Sequence, residues 1–261
     1  MKRAAFLFSL AALAALSVPS LVVRAQEDGV HAPSGGTQTT VISIAVPPLP
    51  NAPFTATVST NWVRTLDDGS TVTIQNQRTI ARDSNGRIFQ ERRNLYPAGD
   101  PNEKMIRQLE YSDPRTRVIY YCKPNERVCE THDYFPRTAP ARVIPAGPLN
   151  GGAGFLTRTV LGNDNISGVD VIGTRETTTI NAGVAGNDRA ISIVKEFWFS
   201  PQLGINVIEK RQDPRIGTQT FTVSDISLGE PDARLFDMPS DYRVVDARRQ
   251  NSPAGQNSGA N

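Results

Sequence analysis

Apolar and polar residues alternate with a period of two over much of the chain. From Phe54 to Leu66, the positions Phe54, Ala56, Val58, Trp62 and Leu66 fall on one side and Thr55, Thr57, Ser59, Asn61 and Thr65 on the other, with Val63 as the exception. Successive strand residues point to opposite faces, so this is the pattern of a half-buried strand. Asp67-Asp68-Gly69 follows as a hairpin turn, because Gly accepts the positive φ that such turns require. The next strand, Ser70 to Arg82, sets Val72, Ile74 and Ile80 against Thr71, Thr73, Gln75, Gln77 and Thr79. Asp83-Ser84-Asn85-Gly86 turns the chain again into Arg87–Asn94.

The same grammar continues. Asn102–Ser112 reads as a short helical turn running into a strand at Ile106–Tyr111, and Val118–Cys122 with Val128–Tyr134 as a hairpin. Phe135–Phe155 carries four Pro and four Gly and reads as a long loop. Thr157–Leu161 opens a helix or a strand. Strands then fall at Val169–Ile180, Ile191–Phe199, Ile205–Arg211 and Thr218–Leu228, before a closing segment from Glu230 to Val245. About nine to eleven strands with turn signals between them and little amphipathic helix predict a mainly β fold, a curved antiparallel sheet or incomplete barrel, and not alternating βαβ units.

The two ends follow other rules. Lys2 and Arg3 precede an apolar run from Ala4 to Val18, broken only by Ser9 and Ser17, and Val23-Arg24-Ala25 supplies small residues at a cleavage site. This predicts a signal peptide, residues 1–25, cut after Ala25 and leaving no stable membrane span. No Cys follows the run, so a lipid anchor is not indicated. Residues 26–52 are rich in Pro, Gly, Ser and Thr and read as a flexible linker. Residues 53–246 form the expected single β-rich domain, and the polar segment 247–261 the expected disordered tail.

Charge matters only once the leader is removed. The 261 residues hold 28 Lys and Arg against 26 Asp and Glu. The leader contains Lys2, Arg3 and Arg24 and no acid, so the exported chain would carry 25 basic and 26 acidic groups. That balance removes the electrostatic footprint of a nucleic-acid binder. Two His and two Cys leave little room for metal or iron–sulfur chemistry, and no cofactor is expected.

If Asn125-Glu126 is the tip of a two-residue turn, Cys122 lies directly opposite Cys129, and an oxidising compartment then permits a cross-strand disulfide. The competing reading, a metal site from Cys122, Cys129 and His132, offers three ligands at an unusual spacing. His132 in Glu130-Thr131-His132-Asp133 is explained by the polar side of a strand. No nucleophile elbow, zinc-protease helix or phosphate loop occurs, so no enzyme is expected.

Several short motifs add up to a resemblance: Gly173-Thr174-Arg175-Glu176-Thr177-Thr178-Thr179-Ile180, Gly186-Asn187-Asp188-Arg189, Glu196-Phe197-Trp198-Phe199-Ser200-Pro201 and Leu235-Phe236-Asp237-Met238-Pro239. They resemble a family of uncharacterised secreted bacterial proteins. More remotely, the hairpin Phe197, Trp198, Pro201, Gly204 and the late Phe236, Pro239, Tyr242 are similar to the outer-membrane lipoprotein carrier fold, shared by a periplasmic envelope-stress sensor. The resemblance implies a curved half-barrel that cups a lipid or a lipoprotein acyl chain, or an envelope protein partner, in a periplasmic or extracellular protein. Phe54, Val58, Trp62, Val72, Ile74 and Trp198 would line that cup. A sealed core needs the same alternation, so only the resemblance favours the cup over the core.

Overall fold

The computed structural model describes residues 44–135 and 145–250. The signal peptide, the first part of the linker, residues 136–144 and the segment beyond 250 lie outside the described residues. Those described all belong to one compact unit.

Among the described residues, thirteen strands form one open sheet. In chain order they are β1 (Phe54–Thr65), β2 (Thr71–Arg82), β3 (Ile88–Arg93), β4 (Ile106–Asp113), β5 (Val118–Lys123), β6 (Val128–Asp133), β7 (Gly147–Pro148), β8 (Gly154–Ile166), β9 (Val169–Ile180), β10 (Ile191–Ser200), β11 (Ile205–Asp213), β12 (Gly217–Leu228) and β13 (Arg243–Asp246). Among the described residues three short 3₁₀ turns complete the regular structure, and no helix is long and apolar enough to cross a membrane.

β1 sits near the middle, paired with β2 on one side and β12 on the other. β2 to β6 meander outward from it; the chain then passes to the far edge, and β8 to β12 meander back until β12 closes against β1. All pairs are antiparallel except β13, which runs parallel to β6. Bulges interrupt the pairs β1–β12, β3–β4, β8–β9 and β10–β11. Bulges increase local twist, and sheets beyond about ten strands need such coiling.

The apolar side of the sheet changes over along its width. On β1, Phe54, Ala56, Val58 and Trp62 are buried, with Ile80 of β2 and Phe221 and Val223 of β12 on the same face. Residues 44–52 lie on this face, with Ile44 and Val46 buried. We call this segment the strap. Beyond β2 the opposite face becomes apolar. Ala81, Phe89, Tyr111, Cys122 and Cys129 form a cluster there, covered by Leu235, Phe236, Met238 and Tyr242 from the chain between β12 and β13.

Residues 44–52, which the sequence pattern assigns to the linker, pack against the sheet. The reason lies in β2. The Arg82 side chain is fully buried and donates from Nη1 to the Pro47 carbonyl (2.8 Å), from Nε and Nη2 to the Ala52 carbonyl (2.9 and 2.7 Å) and from Nη2 to the Leu203 carbonyl (2.9 Å). Arg78 donates to the Ile44 carbonyl at 3.3 Å. Two guanidinium groups thus hold a Pro-rich segment whose composition alone reads as a linker. Gly204 has φ +66°, which favours Gly, and the Leu49 side chain of the strap lies against it. At the other end, Ala247–Gln250 forms a 3₁₀ turn within the segment expected to be disordered.

Cys122 and Cys129 are register partners on β5 and β6, fully buried and joined as a disulfide. The turn between them is longer than expected: Lys123 and Val128 close it, leaving Pro124 to Arg127 in the loop with Arg127 at φ 49°. Asn125 and Glu126 remain its centre, so the register is the same. Closing so short a loop contributes about 2–3 kcal/mol in the chain-entropy model. Cys122→Ala/Cys129→Ala should therefore lower the urea-unfolding free energy by about that amount. A change below about 1 kcal/mol would show that packing under Tyr111 and Tyr242 carries the hairpin without the bond.

Candidate functional site

Side chains of cross-strand partners point to the same side of a sheet. Register therefore sorts the candidate residues. Ile74 lies opposite Trp62 and Val72 opposite Arg64, while Trp62 faces Gln219 and Val58 faces Val223 across β12. Phe54, Val58, Trp62, Val72 and Ile74 consequently share the face that carries the strap.

Trp198 does not join them. It pairs with Ile208, which pairs with Thr222, which pairs with Ser59, one residue out of phase with Val58 and hence on the other face. It packs there over Gly173, where a Cβ would come within 2.7 Å of its ring. Sequence placed Trp198 in the cup by its size, whereas its side is set by counting through β11 and β12. Phe197 takes its place: it pairs with Glu209, opposite Phe221, and so lies on the strap face.

Burial is graded along this face. Phe54, Val58, Ile80 and Val223 are wholly inaccessible near the strap. Trp62 is nearly buried, and Val72, Ile74 and Phe197 are half-buried at the other end. The Trp62 indole is fixed by its Nε1, which donates to the Ile216 carbonyl at 2.6 Å, and the Arg64 guanidinium lies 5.4 Å from its ring centre.

Polar groups frame these residues. Asp213 accepts from Arg215 Nε and Nη2 (2.9 and 2.8 Å) and from Arg211 Nη2 (3.1 Å), and the Arg215 hydrogen bonds above all pull its carboxyl down to about 2. Glu209 carries the opposite perturbation: burial raises its pKa, against a weaker opposing effect of Asn206 at 3.4 Å. Outward across β3 to β6 the same face turns polar through Gln90, Glu110, Tyr121 and Glu130. Arg92 pairs with Glu110 at 2.8 Å and Lys123 with Glu130 at 2.9 Å. The apolar surface is therefore confined to the centre of the sheet.

The disulfide takes both sulfurs away from the alternative metal site. His132 Nε2 lies 3.5 Å from Glu130 and its ring 5.2 Å from that of Tyr121, on the polar side of β6. The arginines that hold the strap had no local signal, because their acceptors are backbone carbonyls remote in sequence.

The geometry defines a class: an open antiparallel sheet with a partly covered apolar centre on one face. No family model matches the chain, and neither does any curated protein. Solved structures show a remote similarity. A chain of the Pseudomonas aeruginosa MucA/MucB complex is 11% identical, with 74% of this chain and 58% of that chain covered and a TM-score of 0.39. A LolA superfamily protein from Nitrosomonas europaea is 11% identical, with 73% and 92% covered and a TM-score of 0.28. LprF from Mycobacterium bovis is 12% identical, with 74% and 90% covered and a TM-score of 0.27. This chain thus matches little more than half the length of the first of them. The similarity concerns the fold alone.

Proposed function

We propose that this is an exported, non-enzymatic β-sheet protein that binds a lipid acyl chain, or another long apolar ligand, along the strap face. Val72, Ile74 and Phe197 form the accessible wall, Trp62 lies buried beside them, and Phe54 and Val58 make the covered end. The carrying observation is the graded burial on one continuous face, since a sealed core would leave Val72, Ile74 and Phe197 as inaccessible as Phe54. The buried disulfide supports an oxidising compartment and thus export. Native mass spectrometry with lipid extraction of exported protein should find a bound amphiphile, and Ile74→Ala should weaken uptake of an apolar fluorescent probe while the fold survives. Protein that carries no lipid and takes up no probe would reject the reading.

A second reading has its own observation. Ile172 and Phe199 are register partners, 42% and 40% exposed, beside β8, which β7 covers only at Phe155 and Leu156. Exposed strand edges next to apolar side chains are where an extended segment of an envelope partner adds to a sheet. If the lipid test fails, this edge is the surface to probe.

A further inference from the structure

Two buried nitrogens that lack a hydrogen-bond partner are neighbours. Gln219 is 1% exposed, and its Nε2 has no acceptor; Arg211 Nε has none either. The two residues are direct partners across β11–β12, so both side chains project on the strap face. Lys195 of β10 lies directly opposite Arg211. It makes no salt bridge among the described residues: Glu176, across from it on β9, pairs with Arg158 at 2.6 Å, and Glu209 feels its charge only at longer range. Gln219 in turn faces Trp62, which faces Ile74. One row across the sheet therefore reads Lys195, Arg211, Gln219, Trp62, Ile74: three nitrogen donors, then apolar wall.

Buried donors are almost always paired, and an orphan in a native fold calls for an acceptor. Arg211 already gives Nη2 to Asp213 at 3.1 Å, and Nε is its buried donor without an acceptor. A carboxylate or phosphate oxygen accepts several such bonds at once, and charge-assisted bonds of this kind are the strong ones. Glu209 occupies the next row, opposite Phe197 and Phe221. Burial raises the pKa of its carboxyl, while the charges of Lys195 and Arg211 pull it down, so an incoming anion shares these cations with it.

We infer that Gln219, Arg211 and Lys195 form an anionic headgroup site, which takes a carboxylate or phosphate whose apolar chain runs over Trp62 and Ile74. The inference rests on the apolar-ligand reading above and specifies the polar end of that ligand. Strands lie about 5 Å apart, so Trp62 and Ile74 are about 5 and 10 Å from Gln219, within reach of the first carbons of such a chain.

The test uses the whole exported protein carrying Trp198→Phe, so that emission reports Trp62. Dodecyl phosphate, laurate, dodecanol and inorganic phosphate are each titrated. Dodecyl phosphate and laurate should bind at least tenfold tighter than dodecanol. The gap should shrink below threefold in Lys195→Met and in Gln219→Leu, with thermal unfolding of Lys195→Met unchanged. Inorganic phosphate that binds as tightly as dodecyl phosphate would keep the anion site but assign it to the free ion and not to a lipid. Equal affinity for dodecanol and dodecyl phosphate, or a gap untouched by both variants, overturns the headgroup site and leaves the apolar-ligand reading standing. Binding of none of the four overturns both.

Discussion

Phe54→Ala should unfold the protein under mild conditions, with a loss of about 3–5 kcal/mol of stability. Phe54 is 0% exposed, lies opposite Arg82 on β2 and has the Arg82 guanidinium 5.0 Å from its ring centre. Removing the ring leaves a void that neither the guanidinium nor the strap can fill, because Arg82 is already fixed by its carbonyls. Ile74→Ala provides the contrast. It lies on the same face but is half-buried beside Trp62, so water or ligand can occupy the space, and the expected loss is only about 1–2 kcal/mol. Urea unfolding of both variants measures the difference. A loss below about 1 kcal/mol for Phe54→Ala would mean that the strap end is open as well. Equal large losses at both positions would mean that the whole face is a sealed core and that no apolar ligand fits.

The contrast also shows where sequence reading succeeds. Alternation locates β1, β2 and β9 closely, because each strand keeps one polar and one apolar side and is bounded by Gly-containing turns such as Asp67-Asp68-Gly69 and Ser167-Gly168. It fails at β8. Gly162-Asn163-Asp164-Asn165 reads as turn chemistry, yet it continues the strand past a bulge between Val160 and Gly162, where Gly162 has φ +106°. A one-residue bulge resets the phase that a period-two count depends on. β13 was hidden for a different cause: its four residues are paired parallel to β6, and nothing local in Arg243–Asp246 announces a partner more than a hundred positions earlier. The candidate site divides the same way. Which of Phe54, Val58, Trp62, Val72 and Ile74 share a face was legible, because two adjacent strands and one tight turn fix it. The side of Trp198, the strap over Phe54 and the orphaned donors at Gln219 and Arg211 all depend on partners brought together by the β1–β12 closure.

Arg82 is the sharpest case of such a hidden partner, and Arg82→Met should release the strap. A charged residue at the end of a strand reads as solvated, but this one is fully buried, and its acceptors are the carbonyls of Pro47, Ala52 and Leu203. Burial lowers its pKa to about 10, so the group is still charged at neutral pH. Met keeps most of the volume and removes the desolvation penalty of the cation, which limits the damage to the sheet. It also leaves the Ala52 and Leu203 carbonyls without a donor and that of Pro47 with the Leu49 N–H alone. Those of Pro47 and Ala52 can regain water if residues 44–52 lift away, whereas that of Leu203 lies in the β10–β11 turn and cannot follow. Local opening of the strap is therefore the cheaper response, and losing charge-assisted bonds of about 1.5–3 kcal/mol each, offset in part by the desolvation the cation no longer suffers, should raise the open population by about two orders of magnitude. Proteolysis between residues 44 and 53 should accelerate by a similar factor while the core fragment persists. Arg82→Lys should fall between the two proteins, since a single ammonium cannot reach three carbonyls with the geometry of a guanidinium. A strap in Arg82→Met that is cut no faster than in the parent protein would show that Ile44 and Val46 hold it by packing alone.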